Sequence, residues 1–302
     1  MKDERLLEMR VFKAVVDAGG FTAAARLLGI SQPFASQCVT NLERRLGVQL
    51  LHRSTRTRRL TSEGEQFLVA CNAILHQVED AEAQVRSSEP TGTLRISAPH
   101  AFGIDQLIGV LPGFLLKYPD LRVHFSLSDS NVNLIEDNID VAVRMGHLPD
   151  SLLRSRKLCD LQRVVVAAPQ YIAAHGKPPT PEALSMHTCL TWDSQREHLN
   201  QWPFVIDGRV EKIAVHGNFR SSDGTTLFQL CLAGVGIMRC AEHLALPAIR
   251  RGDLVQLLAD YQAKDDTAIH VVYLAEHRLV PRIRAFIDYL VEHFQTPPWH
   301  AD

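Results

Sequence analysis

The chain has little of what catalysis, metal binding or membrane insertion requires. Its 302 residues include six cysteines, at 38, 71, 159, 189, 231 and 240, and none stands in a Cys-x-x-Cys or other paired metal spacing. That scatter excludes a zinc ribbon and a disulfide scaffold, and the reading is a reduced, cytoplasmic protein. Fourteen histidines include no His-x-x-x-His pair of the kind a helix would present to zinc. The start, Met1-Lys-Asp-Glu-Arg5, lacks the apolar core and small-residue cleavage site of a secretory signal. No apolar run approaches the ~20 residues of a membrane span. There is no Gly-x-Ser-x-Gly elbow and no phosphate-binding Lys loop, and Gly234-Val-Gly236-Ile-Met-Arg239 lacks the third glycine of a dinucleotide fingerprint. The expectation is no enzyme, no metal and no cofactor.

What is present is an uneven distribution of charge. The chain carries 32 Lys and Arg against 34 Asp and Glu, a net of −2. Residues 1–60 nevertheless hold 11 basic against 5 acidic side chains, while 61–87 and 88–302 are each acidic by 4. A positive segment on an acidic protein is what contact with phosphates needs.

The basic segment also carries a motif. Leu6, Leu7, Met9, Val11, Phe12, Val15 and Val16 recur at helical spacing, and Asp17-Ala-Gly-Gly20 stops the helix. Thr22 is placed to cap a second helix whose Ala24, Ala25, Leu27 and Leu28 form a close-packing face. Gly29 suits the turn, Ser31 the N-cap of a third helix, and Pro33 its first turn. On that helix Phe34, Cys38, Val39, Leu42 and Leu46 are read as inward. This leaves Gln32, Pro33, Ser36, Gln37, Thr40 and Asn41 for a DNA groove. Arg53, Arg56, Thr57, Arg58 and Arg59 then fall between Leu50-Leu51 and Leu60-Thr61, a short basic hairpin like a wing. Clustered guanidinium groups repel one another unless an anionic backbone lies against them.

Phe21-Thr-x-Ala-Ala, Ser31-Gln-Pro, Ser36, Leu42-Glu43-x-x-Leu46-Gly47, Arg53, Arg56 and Leu60-Thr61-x-x-Gly64 together resemble the N-terminal domain of the LysR-type transcriptional regulators. Leu51 stands where that family usually has Phe, and Phe34 is bulkier than its usual small residue.

From Ser62 to Ser87 the chain is free of Pro, and of Gly except Gly64. Phe67, Cys71, Ile74, Val78, Ala81 and Val85 follow one another by steps of 4, 3, 4, 3 and 4. That is a coiled-coil seam, roughly 37 Å long at 1.5 Å per residue. A helix packed on its own chain is the alternative; a dimer matches a two-fold DNA site better. Ser87-Ser-Glu-Pro-Thr-Gly92 breaks the helix as a hinge. Domains are placed at 1–61, 62–91 and 92–302.

Residues 93–302 alternate short apolar strands with helical segments, including a helix expected over Val132 to Asn138. The pattern argues for mostly parallel sheets with helices on both faces. Gly92-Thr-Leu-Arg-Ile-Ser-Ala-Pro99, Phe114-Leu-Leu-Lys-Tyr-Pro119, Leu127-Ser-Asp129 and Asp140-Val-Ala-Val-Arg-Met-Gly146 are similar to the effector-binding domain of the same regulators. Asp150-Ser-Leu-Leu, Ala168-Pro-Gln-Tyr171 and Leu230 to Ile237 extend the likeness. The fold it implies is α/β throughout: a winged helix-turn-helix, a long linker helix, and a two-lobe domain like the periplasmic substrate-binding proteins. Lobe one would be 93–162 with 267–302, and lobe two 163–266.

Ligands in such sheets sit beyond strand carboxyl ends, near helix N-termini. The expected effector residues are Pro99, His100, Ala101, Phe102, Ser128, Asp129, Arg144, Met145, Trp192, Ser221, Ser222 and Asp223. Arg144 either pairs with a ligand carboxylate or forms a structural salt bridge, and Trp192 either walls the pocket or fills the core.

Cys189 falls near one cysteine position of a peroxide-sensing branch of the family. Its spaced partner is missing, His198 lying where one would be sought. Cys231 and Cys240 read as buried structural thiols. The reading is a DNA-binding regulator that grips an inverted-repeat promoter site as a homodimer, assembles into a homotetramer, binds a small carboxylate or other anion, and touches RNA polymerase. A solute-binding protein or a ligand-independent architectural DNA binder would share parts of this sequence.

Overall fold

The computed structural model describes residues 4–52, 59–86, 89–130, 133–146, 153–193, 198–275, 277 and 280–300. They fall into two compact units, Met1–Ser88 with Asn133–Ile139, and Glu89–Val132 with Asp140–Asp302.

The first unit is helical. Helices α1 (Glu4–Asp17), α2 (Phe21–Leu28) and α3 (Gln32–Leu46) precede the long α4 (Ser62–Arg86). Val11, Phe12, Val15, Ala24, Ala25, Ala35, Cys38, Val39 and Leu42 form one buried cluster, which Leu50, Leu51 and Cys71 join. The α2–α3 turn works because Gly29 holds φ 65°, and its N–H reaches the carbonyl oxygens of Ala25 and Arg26. Beyond α3, Leu51 bridges Leu60 in antiparallel fashion, and His52 N–H donates to the Arg59 carbonyl at 2.9 Å. These bonds are the base of the expected wing.

Three expectations for this unit need correcting. Thr22 does not cap α2: the N-cap is Gly20, no side chain caps it, and Thr22 lies inside the first turn. Leu27 is 71% and Leu28 37% exposed, so α2 packs through its two small alanines, which let the helices approach closely. Phe34 is 45% exposed rather than inward, because Ala35, one residue on, faces the core. A helix turns 100° per residue, and with Ala35 pointing into the core Phe34 falls at the edge of the buried face, toward solvent.

The second unit is built on two sets of strands. Five strands form the first sheet in the order β2 (Leu121–Leu127), β1 (Gly92–Ala98), β3 (Val141–Met145), β12 (Ala268–Leu274) and β4 (Leu153–Asp160). A helical run from His100 follows β1 and becomes α5 (Ile108–Lys117), and α9 (Pro281–His293) also packs on this sheet. The other lobe centres on β5 (Arg163–Ala167), flanked by β10 (Met238–Ala241) and β11 (Val255–Leu257). Helices α6 (Pro169–His175), α7 (Gly224–Leu232) and α8 (Glu242–Arg250) surround it, with short β6 (Thr191–Trp192) paired to β9 (Arg220–Ser221).

The sheets are less parallel than the alternation suggested. Strands β1, β2 and β3 run parallel, but β12 is antiparallel to both β3 and β4. In the second lobe both β10 and β11 are antiparallel to β5. The chain passes between the lobes next to β4–β5 and next to β12, and a strand returning from the other lobe enters from the opposite end. The expected helix over Val132 to Asn138 is instead a turn at 134–138, closed by Asn138 at φ 54°. A hairpin of β7 (Gln201–Ile206) and β8 (Arg209–Ala214), joined by Asp207-Gly208, was not anticipated.

Candidate nucleic-acid interface and effector cleft

Ser31 accepts the Phe34 N–H on its hydroxyl at 3.3 Å, fixing the start of α3 with Pro33 in the first turn. Gln32, Pro33, Gln37 and Thr40 are exposed, with Ser36 and Asn41 half-buried. Gln37 donates to the Asn41 side-chain oxygen Oδ1 at 2.8 Å, and Arg44 to the same atom at 3.3 Å. Thr40 donates its hydroxyl proton to the Ser36 carbonyl. Arg59 is exposed. Arg53, Arg56, Thr57 and Arg58 lie outside the described residues.

Two residues hold the wing base, Glu43 from α3 and Thr61 at the start of α4. The Glu43 carboxylate accepts the Leu50 and Leu51 N–H groups at 2.8 and 3.2 Å. Thr61 donates its hydroxyl to the Gln49 carbonyl and accepts the Gly64 N–H. Gly64 has no alternative, since a Cβ there would run into the Leu50 carbonyl.

On α4 the expected seam divides. Cys71 is fully buried in the helical core, and Phe67 packs on it with its ring 5.8 Å from Phe12. Both serve their own chain. Ile74 and Ala81 are exposed and Val78 is half-buried; the Val85 side chain lies outside the described residues.

In the second unit a cleft of about 580 Å³ opens between the lobes. Pro99, Ala101, Ser128, Asp129, Arg144, Met145 and Trp192 line it as expected. Arg144 donates to the Val143 carbonyl at 3.0 Å and to the Ser97 hydroxyl at 3.4 Å. Trp192 both lines the cleft and packs on the second lobe's core.

The remaining expected residues are not part of the cleft lining, although His100 and Asp223 lie beside Asp129. Phe102 is buried against Phe294 and Trp299. Asp223 is the N-cap of α7, accepting from Thr225 N–H, Thr226 N–H and the Thr226 hydroxyl. Ser221 braces it by accepting the Asp223 N–H, and Ser222 is exposed. His100 stands 3.3 Å from Asp129, and with Asp223 brings three ligand-type atoms within 4.8 Å of one another.

Sequence reasoning missed the basic side of the cleft. Arg163, Arg239, His198 and His243 all line it. Asp265 accepts from Arg239 at 2.6 Å, and from the Arg163 guanidinium at 3.4 Å and backbone N–H at 2.9 Å. Burial pulls the Arg163 guanidinium below its ordinary value, and Asp265 opposes that pull. Gln162 and Asp265 also exchange side-chain and backbone hydrogen bonds, so the two crossing segments are cross-linked here. His243, buried, lies 2.9 Å from Asp105 of the other lobe. Arg163 and Arg239 come together through the antiparallel β5–β10 pairing, in which Arg239 lies opposite Val165, two residues along from Arg163.

Comparison with known proteins decides the family. Residues 6–65 match the bacterial regulatory helix-turn-helix domain of the lysR family, and residues 87–295 the LysR substrate binding domain. The chain belongs to the LysR family of transcriptional regulators. It is 35% identical to the HTH-type transcriptional regulator CrgA of Neisseria meningitidis over 287 residues, covering 94% of this chain and 95% of that one. The solved CrgA structure superposes with a TM-score of 0.64, covering 95% of this chain and 98% of that one. The HTH-type transcriptional activator AaeR of Escherichia coli is 35% identical over 294 residues, covering 96% and 94%.

LysR regulators bind DNA and small-molecule effectors and are not enzymes. The helix-turn-helix and the two-lobe domain of this chain are therefore a DNA-binding arm and an effector-binding domain. Among the described residues no helix is long and apolar enough to cross a membrane.

Proposed function

We propose that this LysR regulator is controlled by a carboxylate or other small anion bound between the lobes. The observation that carries the reading is the charge of the cleft wall: Arg144, Arg163 and Arg239 line it, against the lining carboxylate of Asp129, beside His100, and the single Asp265 carboxylate that Arg163 and Arg239 share. Guanidinium groups match carboxylates in geometry as well as charge. Ligand control then requires that the anion bind one lobe arrangement more tightly than another. Residues 92–302 act as the receiver, with lobes of 93–162 plus 267–302 and of 163–266.

At the other end, residues 1–61 read an inverted repeat. Gln32, Ser36 and Gln37 reach base edges, while Thr22, Ser31, Thr40 and Arg53, Arg56, Thr57, Arg58 and Arg59 hold the phosphate backbone. Two chains pair along α4 of the 62–91 linker, and pairs assemble into a tetramer that contacts RNA polymerase. What supports the pairing is the exposure of Ile74 and Ala81 on a 25-residue helix.

The test is thermal denaturation of the full chain with carboxylates and their matched neutral amides. A carboxylate present at a hundred times its Kd stabilises by about 2.7 kcal/mol, or roughly 5–10 °C for a domain of this size. Amides that stabilise as well as the acids would overturn the anionic reading and leave the cleft as a binding site for neutral ligands.

A further inference from the structure

We propose that Phe34 reads thymine, its ring packing on thymine 5-methyl groups in the major groove. The inference rests on the DNA-binding function of the arm, and adds to it a residue that sets operator preference.

The placement of Phe34 is the first argument. It sits in the first turn of α3, directly after Pro33, and Ser31 accepts its N–H. That turn is the part of a recognition helix that meets base edges. Phe34 is 45% exposed, although Ala35 beside it is completely buried. The core therefore makes no use of much of the ring's surface.

Its neighbours supply the second argument. Phe34, Gln37 and Asn41 follow at i, i+3 and i+7 and so share a face of α3. Gln37 donates to Asn41, and Arg44 donates to the same oxygen. The polar side chains on this face are thus tied to one another, and an apolar ring leads them at the helix start. In the major groove the apolar feature that a base pair presents is the 5-methyl of thymine. A ring at this position has that methyl as its chemical complement, and removal of both surfaces from water favours the match.

The experiment starts from an operator recovered by selection from random DNA with the full chain. Each thymine is then replaced in turn by uracil, which deletes the methyl and keeps the pairing. Wild type should lose affinity about fourfold for each methyl that Phe34 covers, the worth of one buried methyl-sized group. Phe34→Ala should bind thymine and uracil versions equally at those positions, while Phe34→Leu should keep part of the discrimination. Thermal unfolding of Phe34→Ala checks that the arm remains folded.

Indifference of wild type to every uracil replacement would overturn the assignment, as would a Phe34→Ala variant that keeps the wild-type ratio. A selection that yields no preferred sequence would overturn sequence-specific binding itself, and this assignment with it.

Discussion

Arg239 and Asp265 meet at 2.6 Å, each side chain 8% exposed, where the chain crosses between the lobes beside the cleft. Arg163 reaches the same carboxylate oxygen, so one Asp faces two guanidinium groups. The surplus positive charge belongs to the cleft wall. The same carboxylate also fixes the crossing, through Arg163 N–H and the exchange with Gln162.

Removing that carboxylate should be costly. Asp265→Ala leaves two largely buried arginines without this partner, and breaking such a group typically destabilises by about 3–5 kcal/mol. Asp265→Asn keeps an oxygen for the backbone N–H and should lose less. Urea unfolding of the full chain measures both. A loss below about 1 kcal/mol for Asp265→Ala would mean that water replaces the carboxylate at the crossing.

At the DNA-binding end the caps separate two residues that look alike in sequence. Ser31→Ala removes a side-chain cap and should cost about 1 kcal/mol, whereas Thr22→Ala removes an exposed hydroxyl from a helix interior turn and should stay within about 0.5 kcal/mol. Chemical denaturation reads the difference. If Thr22 holds phosphate, its substitution should lower DNA affinity at unchanged stability, which anisotropy titration detects. Equal stability losses from the two would contradict the capping geometry.

Local chemistry explains which parts of this fold were legible. Periodicity, Gly29 and Ser31 marked the helix-turn-helix because each acts within a few residues. Asp207-Gly208 carries an equally local signal that the sequence analysis passes over, a two-residue turn with both φ positive, at 49° and 76°, as a tight hairpin requires. Phe34 misleads because hydrophobicity alone does not say which side of a helix the core occupies. Phe67 and Cys71 fit a coiled-coil seam and a self-packed helix equally well, and the helical core decided for the second. Glu43, Thr61 and Gly64 were noticed only as family positions; their work is to hold the wing base, through bonds spanning 3 to 12 residues. The cleft arginines needed strand pairing between residues more than 70 apart in sequence.

The cysteines predict a weakness at alkaline pH. All six are free and buried. Burial pushes Cys159, Cys189 and Cys231 up to about 12 and Cys71 up to about 11, against an ordinary 9.0. The folded chain then keeps thiol protons that the unfolded chain releases. Their contribution is intact below pH 9 and falls as pH rises toward 12, by about 1.4 kcal/mol per thiol for each unit. Urea unfolding between pH 8 and pH 10.5 should show the decline, and Cys231→Ala should make it shallower. A slope unaffected by that substitution would assign the decline to other groups. A thiol reagent at pH 8 should label the native chain slowly and all six sites in denaturant.

The division of α4 predicts that oligomerisation and stability can be separated. Ile74→Asp with Val78→Asp places charge on the part of the seam that the chain's own helical core leaves exposed or half-buried. In a dimer those charges face each other in an apolar interface, so sedimentation should shift to the monomer. Operator affinity should fall at least tenfold as the two arms are uncoupled. Cys71→Ser should behave in the opposite way. It puts a hydroxyl into the core beside Phe12 and Phe67, lowering the unfolding free energy by about 1–3 kcal/mol while the chain stays paired. If Ile74→Asp with Val78→Asp sediments as wild type does, the two chains pair elsewhere and α4 supports only its own arm. If Cys71→Ser alone releases monomers, the seam includes the residues nearest the arm, and pairing depends on the packing of each arm's core.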